Sequence, residues 1–304
     1  MAFKHILVDM DPTKEEQPAF ERAIYLAQLY NAELELFLVD FQGHLVANNF
    51  LNSEQLERAK IGFLNSRKSW LEGYQDQAQQ QGIKTSIDLC WHKPIYQAIN
   101  IKAEKSNTDL VIKSTHYHPV VNRIFFTPND WQLLNTCPVP LILAKNENNH
   151  SEYKRIMAAV DISQTEQVME ELTHRILNCA QQLSAITNAD FHVTHCYESL
   201  GIDMWASIGM GIHGLAIQNS EYEEYLRELG AHNQSEFDHL LLDYNTAPEY
   251  KHLRNGVAHS LLPQIAKENN IDLMVVGTTN RSGLLGSTAE KILDQLECDI
   301  MAVR

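Results

Sequence analysis

The chain has 304 residues, of which 44% are hydrophobic and 21% charged, so it is long enough for two domains that each bury a core. Its formal net charge of −15 argues against a dedicated nucleic-acid-binding protein and against an anionic membrane surface as a partner. No apolar run approaches the roughly 20 residues of a membrane-spanning helix, so we expect a globular protein of the cytoplasm.

In the first half of the chain, short apolar runs alternate with longer amphipathic ones. The N-terminus opens on such a run, with no charged-then-apolar signal segment before it. Several runs are continuously apolar, which is typical of parallel strands covered by helices on both faces. The predicted strands are HILVDM (5–10), ELELFLV (33–39), TSIDLC (85–90), DLVIK (109–113) and VPLILA (139–144).

Helices are predicted between these strands. One begins at Pro18, a residue that the first helical turn tolerates, and carries an apolar stripe along one face. Another has Thr127 as its N-cap, followed by Pro128 and Asp130 in the first turn. Residues 48–81 predict one long amphipathic helix. The alternation of strands and helices predicts a parallel sheet with right-handed crossovers, which is an open α/β sandwich.

The second half of the chain repeats the first, with small insertions that shift the copies by 150, 163 and 159 positions. The matched pairs are KHILVDMDPT (4–13) with KRIMAAVDIS (154–163), EKSNTDLVIKS (104–114) with KENNIDLMVVG (267–277), and LNTCPVPLILAK (134–145) with LDQLECDIMAVR (293–304). A polar linker, NENNHSEYK, lies between the copies. We therefore predict two tandem domains, 1–146 and 152–304.

A candidate ligand site follows from this repeat. Asp11 and Asp161 end the first strand of each copy, and Ser114 and Gly277 end the fourth. Open α/β sheets bind ligands beyond the carboxyl ends of their strands. In the second copy, VVGTTNRSGLLGSTAEK (275–291) predicts a strand, a glycine-spaced loop and a helix start, whose free amides suit phosphate.

The sequence resembles the universal stress protein family over essentially its whole length, and the repeat resembles the tandem members of the E type. The family pattern after the fourth strand is Gly, two residues, Gly, nine residues, then Gly-Ser or Gly-Thr. The subgroup is indicated by EEQPAFERAIYLAQ (15–28), WHKPIYQAI (91–99), FFTPNDWQLLNTCPVPLIL (125–143) and STAEKILDQLECDIMAV (287–303).

The resemblance implies two tandem open α/β sandwich domains with mainly parallel five-stranded sheets, of the Rossmann-like type shared with adenine nucleotide alpha hydrolases. It implies a cytoplasmic role in stress survival, ATP binding in some members, and pairing of domains through the last strand. We therefore expect an internal pseudo-dimer of the two halves, with a homodimer as a further arrangement. A small-molecule ligand is expected, but neither a nucleic acid nor a membrane.

The phosphate loop departs from the family pattern in both halves. In the second, Asn280 replaces the middle glycine, and the five residues 281–285 stand where nine are expected. In the first, no glycine remains between Ser114 and Asp130, and two prolines remove amide donors. We therefore expect the first half not to bind nucleotide, and any site in the second half to be weak and to prefer fewer phosphates.

The resemblance also implies roles for residues of the second half. Val160 would face adenine and Asp161 the ribose, while the other residues would shape the turn or contact phosphate. These others are Gly277, Asn280, Arg281, Gly286, Ser287 and Thr288, and the cofactor would be ATP or another adenine nucleotide. A structural interpretation stays open, because STAE is a Ser-x-x-Glu capping box and the glycines also suit tight turns.

Histidines and cysteines recur at two other places, but we expect exposed loop residues there and no metal site, since zinc needs three or four converging ligands. The residues are Cys90, His92, His116 and His118 in the first half, and His192, His195 and Cys196 in the second. The five cysteines form no Cys-x-x-Cys pair, so reduced thiols are expected. No hydrolase motif occurs, and His174 has no recognisable nucleophile, so enzymatic activity would be limited to slow ATP turnover.

One apolar segment, SLGIDMWASIGMGIHGLAIQ (199–218), contains methionines and four glycines. It fits either a cover over the sheet or an adaptable lid over a small-molecule pocket. Two functions therefore remain open. The first is a stress protein that binds adenine nucleotide in its second domain; the second is a scaffold that binds a lipid, metabolite or protein without nucleotide.

Overall fold

The protein is described by a computed structural model built around one ten-stranded β-sheet with helices packed on it. The residues that it describes are 3–43, 52–118, 123–145, 152–163, 167–205, 207, 219–278 and 295–304. Its strands are β1 (His5–Asp9), β2 (Glu33–Asp40), β3 (Thr85–Trp91), β4 (Leu110–Ser114), β5 (His116–His118), β6 (Arg123–Phe125), β7 (Leu141–Ala144), β8 (Arg155–Val160), β9 (Asp190–Tyr197), β10 (Lys251–Asn255), β11 (Leu273–Gly277) and β12 (Asp299–Val303).

The helices that the structure describes connect these strands or pack against them. They are α1 (Pro18–Tyr30), α2 (Ser53–Gln80), α3 (Ile95–Lys105), α4 (Pro128–Thr136), α5 (Gln167–Thr187), α6 (Asn219–Leu240) and α7 (Ala258–Glu268), with short 3₁₀ turns at Leu241–Asp243 and Pro248–Tyr250. Within the described part of the chain, no helix is long and apolar enough to cross a bilayer.

The sheet order is β10-β9-β8-β11-β12-β7-β4-β1-β2-β3. Each half supplies five neighbouring strands to this sheet, and within each set of five all pairings are parallel. The two halves meet at β7 and β12, which pair antiparallel with Ile142 opposite Met301. The predicted α/β architecture with five mainly parallel strands per half is confirmed.

The strand order creates a crevice in each half. The first strand of a half, β1 or β8, lies between the second strand on one side and the fourth on the other. The connections that leave the first and fourth strands therefore run in opposite directions along the sheet. They diverge at the carboxyl ends of β1 and β4 in the first half, and of β8 and β11 in the second. Ligands of open α/β sheets bind at such a switch point.

Local sequence signals explain where the predicted helices begin. Pro18 is the first residue of α1, where its missing amide hydrogen costs no helical hydrogen bond. Thr127 caps α4 in a capping box, in which its hydroxyl accepts from the amide of Asp130 and the Asp130 carboxylate accepts from the amide of Thr127. Both helix starts were predicted correctly.

Two hydrophobic cores lie on the sheet, and each draws residues from both halves. One contains Leu36 and Ile156, the other Val111 and Met274, all fully buried. Burying one such side chain contributes roughly 1.5–3 kcal/mol. The cores therefore continue across the β7–β12 joint.

The sequence repeat is also a repeat of contacts. The Asp109 carboxylate accepts hydrogen bonds from the amides of Lys4 and His5 at 2.8 and 3.0 Å, which ties the start of β1 to the start of β4. Asp272 accepts from the two amides at the start of β8 at 2.8 Å each. The aspartate before the fourth strand, Asp109 in the first half and Asp272 in the second, therefore aligns the first and fourth strands.

The connection between β4 and α4 differs from its prediction as an irregular loop. Its backbone forms the antiparallel pair β5–β6, with Tyr117 opposite Ile124. Aromatic and β-branched residues of this segment favour extended backbone. Its proline, which marks it as a loop, does not indicate that preference.

Candidate functional site

A cavity of about 990 Å³ lies beyond the carboxyl ends of β8, β9 and β11 in the second half. Helices α5 and α6 form its wall on one side of the sheet, and the start of α7 lies on the other. Its apolar lining includes Val160, Met169, Leu172, Ile176, Leu229, Leu262 and Val276. The position coincides with the switch point between β8 and β11, where the topology predicts a ligand.

Three of the residues predicted for nucleotide binding line this cavity: Val160, Asp161 and Gly277. The structure thus brings the ends of the first and fourth strands together around one space. The other five predicted residues, in the loop and helix start at 280–288, lie outside the described residues.

Gly277 allows α5 to pack closely against β11. A Cβ atom at this position would lie 2.8 Å from Leu172 Cδ2 and 2.9 Å from Ile176 Cδ1, which is closer than carbon atoms approach each other. Gly277 lies within β11, so its role here is not that of a turn residue. Close helix packing therefore gives a reason for a glycine at this position that does not depend on a turn or a ligand.

Asp161 stabilises the turn that follows β8. Its Oδ1 accepts hydrogen bonds from the amide and the hydroxyl of Ser163, at 3.0 and 2.5 Å. Asp11 makes the same two contacts with Thr13, at 2.9 and 2.5 Å. This turn occurs in both halves, so the aspartate has a structural role that does not depend on a ligand.

The described lining of the cavity carries negative charge. Asp161, Glu198 and Glu236 supply carboxylates, and the described lining residues include neither lysine nor arginine. A phosphate chain inside the described lining would be repelled rather than paired. Favourable phosphate contacts would therefore have to come from groups beyond this lining.

Cys196 also lines the cavity, at the end of β9. Burial raises the pKa of its thiol to about 11, so the thiol is protonated at neutral pH and is a poor nucleophile. Thr173 and Asn233, both largely buried, add polar groups from α5 and α6. The chemistry that this lining offers is binding through shape, apolar contact and a few hydrogen bonds.

The α6 wall was not anticipated, because no motif marks it. It contributes Leu229, His232, Asn233 and Glu236 to the cavity. The beginning of the apolar segment 199–218 is anchored to the same helix. The Leu200 amide donates to Tyr225 Oη at 3.0 Å, and the Trp205 ring stacks on Tyr225 with centroids 4.3 Å apart. Residues 208–218 lie outside the described residues.

A cluster of buried charged side chains lies at the corresponding strand ends of the first half. Lys113 Nζ lies 3.1 Å from Asp9 Oδ2 and 3.6 Å from Asp130 Oδ1. All three side chains are buried. Asp9 and Lys113 are partners in the β1–β4 register, and the repeat aligns them with the small apolar Ala159 and Val276, which line the cavity.

The charges of this cluster stabilise one another. Burial raises the pKa of the Asp9 carboxyl, although the Lys113 ammonium opposes that shift. The carboxylates of Asp9 and Asp130 raise the pKa of Lys113 despite its burial, so the ammonium stays charged. A buried lysine between two aspartates therefore forms an internal ion-pair network at the ends of β1 and β4, where the second half has the apolar Ala159 and Val276.

Ser114 closes the first crevice further. Its hydroxyl accepts a hydrogen bond from the amide of Ala19 at 3.0 Å, so this amide in the first turn of α1 is already used. Lys14 Nζ donates to the carbonyl of Thr115 at 3.1 Å across the same opening. Among the described residues, these contacts use one helix-start amide and one ammonium group that could otherwise donate to a phosphate.

The expectation of exposed loop residues at 192–196 is wrong. His192 and His195 lie in β9 and are 3% and 1% exposed, and Cys196 is half-buried. His195 Nδ1 lies 3.1 Å from the carbonyl of Val160, and His192 Nδ1 lies 3.0 Å from His252 Nε2. The β9 strand is covered on both faces, so its histidines are buried.

The remaining candidates show no catalytic arrangement in the described part of the chain. His174 Nδ1 lies 2.8 Å from the hydroxyl of Tyr244, whose ring stacks on it. Cys90 and His92 are half-buried at the end of β3, and the side chains of His116 and His118 lie outside the described residues. Among the described residues, no three potential ligands come together to hold a metal ion.

Comparison with known proteins gives one consistent result. The sequence matches the Universal stress protein family twice, over residues 2–145 and 152–304. A universal stress protein E of Photorhabdus laumondii is 29% identical over 99% of this chain and 95% of its own length. The universal stress protein E of Escherichia coli K12 is 24% identical over 99% and 94%. The crystal structure of a universal stress protein from Archaeoglobus fulgidus DSM 4304 has a TM-score of 0.65 at 14% identity, covering 99% of this chain and 98% of that one.

Proposed function

The chain belongs to the universal stress protein family. We propose that it acts in the stress response, in the cytoplasm, and that its second half binds an adenine nucleotide weakly. The observation that carries this proposal is the contrast between the two switch-point crevices. The second half has a cavity of about 990 Å³ whose lining includes Ala159 and Val276, whereas the aligned residues of the first half, Asp9 and Lys113, form a buried ion pair.

The apolar part of the cavity suits a purine base. Val160, Leu172 and Leu229 offer flat apolar contacts, and a cavity of this size falls within the range of small-molecule sites. Asp161 lies at the rim, where its carboxylate would accept hydrogen bonds from ribose hydroxyls. We infer that the base lies in the apolar part of the cavity and that the phosphates point towards the loop after Gly277.

The charge of the cavity supports weak binding with a preference for few phosphates. Glu198 and Glu236 oppose each added negative charge on the ligand. The shortened loop also removes amide donors, and each lost contact with phosphate costs about 1.5–3 kcal/mol. The loss of two contacts moves a micromolar site into the millimolar range. AMP should therefore bind at least as tightly as ATP.

The two halves are proposed to work as an internal pseudo-dimer. Without the β7–β12 pairing, each half would expose an apolar edge strand that could pair with other chains. In this arrangement the nucleotide site lies in the cavity of the second half, and the first half has a structural role. A homodimer would bring two such cavities together.

Isothermal titration calorimetry with ATP, ADP and AMP tests the nucleotide proposal. Leu229→Trp, which adds an indole to the wall of the cavity, should abolish heat from all three ligands. Leu242→Trp is the matched control, because Leu242 is 75% exposed and lies outside the lining. Equal binding by wild type and Leu229→Trp would show that the cavity is not the site. Absence of binding by wild type at millimolar nucleotide would favour the non-nucleotide scaffold.

A further inference from the structure

The edge of the second half contains a buried histidine pair. His192 of β9 and His252 of β10 are 3% and 5% exposed, and their rings are nearly parallel, with centroids 5.3 Å apart. His192 Nδ1 lies 3.0 Å from His252 Nε2, so one ring nitrogen must donate its proton and the other must accept it. His192 Nε2 is buried and has no hydrogen-bond partner among the described residues.

The pair joins the last strand of the sheet to its neighbour. β10 is the edge strand, and within the sheet it pairs only with β9. The ring of Tyr250, just before β10, lies 4.4 Å from the His192 ring and covers it. Beyond β10, the chain passes through Gly256 into α7, which supplies Ala258 to the cavity wall.

We propose that the His192–His252 pair is an acid-sensitive latch, which holds β10 on β9 at neutral pH and releases it when the pair is protonated. The N–H···N hydrogen bond needs one protonated nitrogen and one lone pair. The first added proton places a charge on a buried ring. A second proton removes the acceptor, so the bond is lost and two cations face each other.

The surrounding charges do not compensate for protonation. Carboxylates of Asp190 on β9 and Glu268 on α7 favour charged rings, while Arg155 on β8 and Arg254 on β10 oppose them. Two carboxylates and two guanidinium groups largely cancel, which leaves burial as the dominant influence. Burial lowers the pKa of His192 to about 4, with His252 as the second cause, and burial also lowers the pKa of His252.

The sign of the pH dependence follows from these shifts. In the unfolded chain both histidines bind protons below about pH 6.5, whereas in the folded chain they do so only at lower pH. Between pH 6.5 and about 4, the unfolded or locally opened state therefore binds more protons. Each such histidine favours opening by up to about tenfold for each pH unit of acidification. At neutral pH the latch is closed.

The test combines NMR titration with amide hydrogen exchange on the full chain. In wild type, the His192 and His252 rings should titrate well below pH 6. Protection of the β10 amides (251–255) should fall at least about tenfold from pH 7 to pH 5 after correction for intrinsic exchange. Protection of the β2 amides (33–40) in the first half should stay unchanged. His192→Phe combined with His252→Phe keeps two stacked rings and removes the protons, so its β10 protection should not change with pH.

His239→Gln is the matched control, because His239 is exposed on α6 and its loss should leave the β10 response intact. If the double phenylalanine variant does not fold, His192→Gln combined with His252→Gln tests the same point, since glutamines keep a hydrogen bond but do not titrate. Titration of both rings near pH 6.5 would overturn the latch. So would equal pH dependence of β10 protection in wild type and in the variant without these histidines.

Discussion

Lys145 and Arg304 make equivalent hydrogen bonds across the joint between the halves: each side chain donates to backbone carbonyls of the other half. Lys145 Nζ donates to the carbonyl of Leu296, and Arg304 donates to the carbonyls of Cys137 and Asn135 at 3.2 and 2.6 Å. The repeat aligns Lys145 with Arg304 and Cys137 with Leu296. The last residue of each copy therefore holds the segment before the last strand of the other copy, as in a symmetric dimer interface.

Replacing either base should weaken this joint. Lys145→Met leaves the Leu296 carbonyl without its donor in a fully buried place, so we expect a loss of about 1.5–3 kcal/mol in the free energy of unfolding. Arg304→Met should cost less, because Arg304 is only half-buried. Urea denaturation measures both. The control Lys267→Met removes an exposed pair with Glu297 and should change stability by less than about 1 kcal/mol. Similar small effects in all three variants would contradict this role.

A second buried contact across the joint gives a larger effect. Asp299 accepts hydrogen bonds from Arg22 Nε at 2.7 Å and from Tyr153 Oη at 2.9 Å. The side chains of Arg22 and Asp299 are at most 1% exposed. Asp299→Asn leaves a buried guanidinium without its counter-charge and should cost about 3–5 kcal/mol. In a double-mutant cycle with Arg22→Met, the double variant should lose less than the sum of the single variants. Additive losses would mean that the pair is not coupled.

The buried cluster of the first half predicts a pH dependence. Lys113→Met removes the cation between Asp9 and Asp130 and should cost about 3–5 kcal/mol at pH 7. Burial already raises the pKa of Asp9, and losing Lys113 raises it further. The folded variant then takes up protons that the unfolded chain does not, so the deficit should shrink as the pH falls from 7 towards 4.

Urea denaturation at pH 7 and at pH 5 measures this change for Lys113→Met. The control Lys84→Met removes a lysine that is 78% exposed and pairs with Glu33, and its small effect should not depend on pH in this range. A deficit for Lys113→Met that is the same at both pH values would show that the aspartates are not the cause.

The sequence predicted the elements whose signals are local. The apolar runs, Pro18 and the Thr127 cap lie within the elements that they mark, so strands, α1 and α4 were located correctly. The duplication was visible as well, because matched segments keep their order. Asp161 and Gly277 were expected at one site because strand ends meet at a switch point, whereas Val160 was assigned only by the resemblance to the family.

Features that depend on distant partners were not predictable in this way. Lys113 looked like the polar end of a strand, and only the fold brings Asp9 and Asp130 to it. The sequence alone favours exposed loop positions for the histidines of β9, since no set of metal ligands is recognisable there, yet α7 and β10 bury His192. The cavity wall from α6 carries no motif at all. Contacts between elements that are distant in the sequence decide each of these cases.

The final prediction separates two explanations for Gly277. If the glycine serves helix packing, Gly277→Ala should destabilise the protein by about 1–3 kcal/mol, because the added methyl group would overlap Leu172 and Ile176. Gly73→Ala is the control: a Cβ atom at Gly73, in α2, meets nothing within 4 Å, so this change should stabilise the helix by about 0.5–1 kcal/mol.

Nucleotide binding then tests the second explanation, in which Gly277 allows phosphate to approach the backbone. If the glycine served only close approach of phosphate, Gly277→Ala would keep its stability and lose affinity for ATP more than for adenosine. Because the packing overlap displaces α5, which forms part of the cavity wall, we expect instead a loss of stability with a similar loss of affinity for both ligands. Urea denaturation and calorimetry on the same preparation decide between them. An unchanged unfolding free energy in Gly277→Ala would refute the packing role of this glycine.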